Sequence, residues 1–380
     1  MKEFRICFVA GARPNFMKVA PIMRAFDDLA SAANDKGIQI NTVLVHTGQH
    51  YDGKMSEIFF EDLGIRKPDY NLGVGSGSHA VQTGRVMIEF EKVLEAEKPN
   101  LVVVVGDVNS TVACSLTAVK MGIWVAHIEA GLRSFDRSMP EEINRVITDS
   151  ISDFLFVTEE SGLENLRNEG IQDERIFFTG NVMIDTLMAN LKRMQTEGYQ
   201  PKEKRIQHLI GAEGSYAVLT LHRPSNVDHV GVLQGIWGAV SRIANQLPVI
   251  FPIHPRTLVK LKEFGFRSDK VIMVDPIGYM DMLWLVKGAA LVITDSGGLQ
   301  EETTALGIPC ITIRENTERP VTLQLGTNRL VGTDPEIIIQ TAKDILGGSS
   351  QVGNMPPLWD GRAAERIVKI LIENVMEIIQ

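Results

Sequence analysis

Short apolar runs alternate along this chain with longer segments whose apolar residues recur at helical spacing. Phe4-Arg5-Ile6-Cys7-Phe8-Val9-Ala10 predicts a strand and Gly11-Ala12-Arg13-Pro14 a tight turn. Phe16, Val19, Ala20, Met23 and Phe26 then predict the inner face of a helix. Residues 38–45 predict a second strand, which empties into the polar loop His46-Thr47-Gly48-Gln49-His50-Tyr51-Asp52; Gln49 and His50 receive no role. The glycine-rich stretch 73–79 follows no buried strand and reads as a loop. A helix over 79–98 leads into Leu101-Val102-Val103-Val104-Val105, an uninterrupted apolar run typical of a central parallel strand. Strands are also expected over 123–128, 153–157 and 175–179, and helices over 111–121, from Pro140, and over 159–169.

The second half repeats this plan. A polar linker over 195–204 precedes strands at 216–221, 248–253, 290–294 and 309–313, with helices over 230–244 and after Gly297-Gly298. Alternating strands and helices imply parallel sheets. The fold class is therefore α/β, with two doubly wound Rossmann-like domains over residues 1–180 and 181–360. The remaining helix, 361–380, shows Ala364, Ile367, Val368, Leu371, Ile372 and Val375 on one face and is expected to pack back on the first domain.

Composition narrows the function classes. The 380 residues are too many for one core, and 44% hydrophobic with 22% charged residues is ordinary for a soluble protein. A net charge of −9 argues against a nucleic-acid partner. With no long apolar segment at the N-terminus or elsewhere, neither a signal peptide nor a membrane span is expected, which implies a cytoplasmic protein. Cys7, Cys114 and Cys310 sit in apolar runs without close pairing and read as buried free thiols rather than metal ligands.

The candidate chemistry lies at the carboxyl ends of the predicted strands, the edge where open parallel sheets bind ligands. Arg13 and Lys18 follow the first strand at a helix start, where free amides and the helix dipole favour a phosphate. Asp107 ends one strand and Glu129 the next; the two converge if those strands are neighbours, although Asp107 also suits the cap of the helix near Thr111. Glu141, Glu142 and Arg145 share the first turns of the helix opened by Pro140. There they form either part of a site or dipole-complementing acids with a Glu141–Arg145 pair. His222-Arg223 ends another strand. Ser296-Gly297-Gly298 opens a helix carrying Glu301 and Glu302, which suits a phosphate on the glycine amides and ribose hydroxyls on an acid. The first turn is not Gly-x-Gly-x-x-Gly, which speaks against a nicotinamide dinucleotide.

Taken in order, Gly11-Ala12-Arg13-Pro14, Gly106-Asp107, His127-Ile128-Glu129-Ala130-Gly131-Leu132-Arg133, Pro140-Glu141-Glu142-Ile143-Asn144-Arg145, Leu221-His222-Arg223, Asp295-Ser296-Gly297-Gly298-Leu299-Gln300-Glu301-Glu302 and Thr317-Glu318-Arg319-Pro320 resemble the non-hydrolysing UDP-N-acetylglucosamine 2-epimerases over almost the whole chain. The resemblance implies a GT-B fold, with the strand-end loops of two domains facing across a cleft. It also implies interconversion of UDP-N-acetylglucosamine and UDP-N-acetylmannosamine without metal or other cofactor, a homodimer, and supply of N-acetylmannosamine for surface polysaccharide. Uridine diphosphate contacts carry over to Arg13, Lys18, His222, Ser296, Gly297, Gly298, Glu302 and Arg319. The resemblance further implies Asp107, Glu129 and Glu141 as the catalytic set, with His222 assisting UDP departure and Arg145 on the sugar side. The sugar's C2 hydrogen is not acidic, so epimerisation without a redox cofactor calls for transient expulsion of UDP and two proton-transfer groups. Alternatives are a 2-epimerase of a related UDP-sugar, a retaining UDP-sugar glycosyltransferase, and a non-catalytic sugar-nucleotide sensor; the last has no need of Asp107, Glu129 and Glu141.

Overall fold

The computed structural model describes residues 2–35, 38–48, 65–208, 214–349 and 353–379; Gln49, His50, Tyr51 and Asp52 lie outside them. The chain divides into two compact units, one comprising residues 1–186 and 357–380 and the other 187–356.

The first unit is built on strands β1 (Lys2–Ala10), β2 (Ile38–His46), β3 (Tyr70–Asn71), β4 (Leu101–Val105), β5 (Trp124–Ala130), β6 (Phe154–Val157) and β7 (Ile176–Phe178), in the order β3-β2-β1-β4-β5-β6-β7. Every pairing is parallel. All five residues of β4 are buried, as expected of a strand covered on both faces. Winding reverses between β1 and β4. The crevice beyond their carboxyl ends is the switch point where ligands bind in such sheets. The 73–78 connection is tied to the sheet by the Val74 amide, which donates to the Thr47 carbonyl at 3.0 Å, and Ser78 caps the helix His79–Glu97.

The chain's last helix, Ala363–Ile379, packs on the helix Arg13–Asp35 in this same unit. Asp185 accepts the amides of Ala363 and Ala364 at 3.1 and 2.7 Å. Just before that helix, fully buried Trp359 donates its indole N–H to the Thr158 carbonyl at 2.9 Å.

The second unit repeats the plan with β8 (Ala217–Thr220), β9 (Val249–Pro252), β10 (Val271–Val274), β11 (Leu291–Thr294), β12 (Cys310–Thr312) and β13 (Asn328–Leu330), ordered β10-β9-β8-β11-β12-β13 and all parallel. Its switch point lies between β8 and β11. One apolar cluster centred on Leu219, Phe251 and Ile293 covers one face of the sheet, and another on Val218, Ile250 and Val292 covers the other. This is the alternation that a strand's period of two requires. Cys7, Cys114 and Cys310 are buried free thiols, and among the described residues no helix is long and apolar enough to cross a membrane.

Candidate active site

In the first unit, β4 and β5 are adjacent, so Asp107 and Glu129 emerge side by side. Gly106, with φ of +66°, turns the chain out of β4. A Cβ at Gly106 would lie 3.2 Å from Glu129 Oε2 and 3.3 Å from Lys18 Nζ. Glu129 itself has φ of +71°, a left-handed conformation that costs a non-glycine residue roughly 1–2 kcal/mol. It occupies a bulge: Ile128 pairs with Phe156 and Ala130 with Val157, so the register shifts at Glu129. The bulge takes the side chain out of the strand's alternation, and the carboxylate, buried, meets the Lys18 ammonium. Lys18, expected at a diphosphate, is thus paired with a catalytic candidate.

The turn after β1 is closed by Asn15. Its Oδ1 accepts the amides of Gly11 and Ala12 at 3.2 and 2.8 Å, and its Nδ2 donates to the Val105 carbonyl at 3.1 Å. Two of the amides nearest the expected phosphate position are therefore already engaged. Arg13 begins the helix that follows.

Asp107 does not cap the next helix. That helix is Asn109–Lys120, its cap position is Val108, and no side chain bonds there. The Asp107 carboxylate instead accepts from Arg145 Nε at 3.0 Å while 31% of its side chain stays exposed. The helix Pro140–Ile151 reaches Asp107 a second time through Asn144 Nδ2, which donates to the Asp107 carbonyl at 2.8 Å. The pair expected between Glu141 and Arg145 is replaced by one between Glu142 and Arg145 at 2.5 Å, three residues apart. The reason lies in the preceding loop. Glu142 points inward, where its carboxylate accepts the Ser134 and Phe135 amides and the Ser134 hydroxyl, each at 2.9 Å. Burial acts to raise the Glu142 carboxyl, but Ser134 and Arg145 overcome it and hold it lowered. Glu141 sits on the half-buried flank of the helix.

In the second unit, β8 delivers His222 and β11 delivers Asp295 on either side of the switch point. Asp295 is fully buried and lies 2.8 Å from His222 Nδ1. It accepts the His222 and Arg223 amides at 2.9 and 2.8 Å, and Asn226 Nδ2 at 3.3 Å. Burial acts against its charge, yet His222 and these amides keep its carboxyl lowered. The imidazole is thereby fixed by Nδ1 with 45% of the side chain exposed.

The helix Gly297–Leu306 starts beside this pair. The Ser296 amide donates back to Thr294 Oγ1 at 2.9 Å, so the anion-facing amides of the expected trio are those of the glycines that open the helix. Arg319 is buried against this N-terminus, paired with Glu301 at 2.8 Å and with Glu318. Glu302 is buried and accepts the Tyr279 hydroxyl at 2.9 Å. Burial, with Glu301 adding to it, pushes the Glu302 carboxyl up to about 7 against the opposing bond from Tyr279.

The units thus carry different chemistry. The first brings carboxylates, each with a cationic partner, to one sheet edge, an arrangement for proton transfer. The second sets a glycine helix start, an imidazole and a guanidinium around one switch point, an arrangement for a phosphorylated nucleotide. Residues 32–372 match the family model for UDP-N-acetylglucosamine 2-epimerase. The UDP-N-acetylglucosamine 2-epimerase of Methanococcus maripaludis is 44% identical, with 97% of this chain and 98% of that protein covered. The UDP-2,3-diacetamido-2,3-dideoxy-D-glucuronate 2-epimerase of Pseudomonas aeruginosa is 39% identical, with 97% and 99% covered. A crystal structure of the Methanocaldococcus jannaschii UDP-GlcNAc 2-epimerase in complex with UDP-GlcNAc and UDP superposes with a TM-score of 0.86 at 42% identity, covering 97% of this chain and all of that one. By sequence and by fold, the chain belongs to the UDP-N-acetylglucosamine 2-epimerase family.

Proposed function

We propose that this protein interconverts UDP-N-acetylglucosamine and UDP-N-acetylmannosamine by inverting C2 while UDP is transiently expelled. The observation that carries the reading is the arrival of Asp107 and Glu129 at the ends of adjacent strands, each against a buried cation, in a chain of this family. The C1–O bond breaks with its electron pair going to UDP, a carboxylate takes the C2 proton, and the C1=C2 bond of 2-acetamidoglucal forms. A second acid then returns a proton to the opposite face of C2 as the UDP oxygen re-forms the bond at C1. Atoms and electrons balance without an oxidant.

Asp107, Glu129 and Glu141 are the proton-transfer candidates, with Arg145 holding Asp107. His222, the Gly297 and Gly298 amides, Arg319 and Arg13 stabilise charge on the departing diphosphate, while Ser296 and Lys18 complete the contact set. Glu302 takes the ribose hydroxyls. The enzyme acts in the cytoplasm as a homodimer and supplies N-acetylmannosamine units for surface polysaccharide.

The test is proton NMR of the purified protein with UDP-N-acetylglucosamine in deuterated water, without added metal or acceptor. Growth of the manno epimer carrying deuterium at C2 is expected. An unchanged spectrum would overturn the substrate assignment. The diacetamido uronate handled by the Pseudomonas relative is the second substrate to try, since that protein matches over nearly the same span.

A further inference from the structure

Behind the carboxylates of the first unit lie two fully buried residues without a role so far, His127 on β5 and Asp149 on the helix Pro140–Ile151. His127 Nδ1 is 2.6 Å from Asp149 Oδ1, and Nε2 is 2.9 Å from the carbonyl oxygen of Gly106. A carbonyl oxygen only accepts, so Nε2 donates to it. The other Asp149 oxygen accepts the Gly131 amide at 3.0 Å and meets Arg133 Nη1 at 2.7 Å. Burial acts to raise the Asp149 carboxyl, and His127 and Arg133 together outweigh it and keep it lowered.

These bonds bracket Glu129 on both sides. His127 precedes it by two residues and Gly131 follows it by two, and one carboxylate ties both. Through His127 the same carboxylate reaches the Gly106 carbonyl, which belongs to the peptide leading into Asp107. A left-handed non-glycine residue persists only where its surroundings over-determine it. Here the surroundings are this pair.

We propose that His127 and Asp149 are positioning residues for the reaction: their link holds Glu129 in its left-handed bulge and fixes the Gly106–Asp107 turn against it, which sets the spacing of the two carboxylates. Neither residue touches the substrate. The assignment of those carboxylates to proton transfer rests on the function proposed above, whereas the positioning claim is read from geometry alone.

Asp149→Asn keeps the size of the side chain and an acceptor for the Gly131 amide, but it weakens the bond to His127 and leaves Arg133 without that carboxylate. In a crystal structure of this variant, Glu129 is expected to leave the left-handed region or to part from Lys18. With the UDP-sugar that the wild type turns over, kcat is expected to fall about 100-fold, the scale of a misplacement near 1 Å, with KM within about threefold. Affinity for UDP, measured by calorimetry, is expected to change far less than kcat, since Lys18 alone among the proposed diphosphate contacts is paired with Glu129. Should Asp149→Asn fail to fold, His127→Gln, which keeps a donor for the Gly106 carbonyl, is read in the same way. Glu129 and Lys18 unmoved in the variant structure would overturn the proposal, as would kcat lost only in proportion to unfolded protein. The structural readout does not depend on which sugar is the substrate, so failure of that assignment leaves it intact.

Discussion

A Cβ placed on Gly297 would sit 2.9 Å from Arg319 Nη1 and 3.1 Å from Glu318 Oε1. Gly297 therefore lets a buried arginine lie against a helix N-terminus, where its charge adds to the free amides facing an anion. In Gly297→Ala the guanidinium must shift or its pairs with Glu301 and Glu318 must stretch, a misfit of about 1–3 kcal/mol. Alanine's better helix propensity returns up to about 1 kcal/mol, so the melting temperature is expected to change by only a few degrees. With the amides and Arg319 holding the diphosphate as proposed, affinity for UDP is expected to fall about tenfold or more by calorimetry. Unchanged affinity would remove Gly297 from the diphosphate site.

Burial beside Glu301 brings the Glu302 carboxyl up to about 7. Below about pH 7 it carries a proton, and above it the carboxylate would accept the ribose hydroxyls proposed for it in stronger, charge-assisted bonds. UDP affinity is expected to rise between pH 6 and 8 through this group, by at most about tenfold per pH unit. Glu302→Gln cannot ionise and should flatten that part of the profile. The phosphates titrate alike in both proteins, so the difference between the two profiles is the measurement. Parallel profiles would mean that Glu302 does not face the nucleoside.

The parallel sheets could be read in the sequence because both faces of their central strands are covered, so β4 and β11 appear as bare apolar runs. Of the edge strands, β7 was legible over 175–179, whereas β3, β10 and β13 were not. β10 leaves Ile272 exposed, and β13 is three residues beginning with Asn328 and Arg329. The charged candidates were legible because they follow strand ends, where chemistry is expected in such folds. Their partners were not. Asp149 lies 22 residues from His127, and Asp295 lies 73 from His222. No local period links them. Glu142 was within reach, three residues from Arg145, but its inward direction is set by the Ser134 and Phe135 amides, which sequence spacing does not show. The Asp107 cap looked plausible from spacing and gives way to Arg145, which binds that carboxylate from another helix.

Arg145 is 2% exposed and joins Asp107 to Glu142. Arg145→Gln removes the cation that the two carboxylates share, and breaking a buried pair from one side typically costs about 3–5 kcal/mol. A large loss of denaturation free energy is therefore expected, with Glu142 kept inward by the Ser134 and Phe135 amides. Asp107 is freer than Glu142, with fewer bonds holding its carboxylate. Turnover of the folded fraction should drop by about 100-fold, on the scale of a misplaced reacting group. Arg145→Lys keeps the charge but not the fork that spans both acids, and it should recover stability further than turnover. Equal recovery of both would mean that Arg145 acts through charge alone.

Asp185 presents two opposed effects whose outcome can be measured. The amides of Ala363 and Ala364 favour its ionised form, as at any helix cap, yet burial outweighs them and its carboxyl is raised to about 6. Asp360 reinforces the rise and Arg366 opposes it. A carboxyl raised on folding binds its proton more tightly in the native state. Its contribution is therefore present at low pH and is lost as pH rises from about 4 to about 6, a change of about 3 kcal/mol. Asp185→Asn cannot titrate and retains one acceptor for the two amides, which costs about 1 kcal/mol at every pH. The variant should thus be slightly less stable than the wild type at pH 4 and more stable at pH 8. Denaturant unfolding at both values measures the crossing. A variant less stable by the same amount at both would mean that the charged cap is stabilising and that burial does not govern this carboxyl.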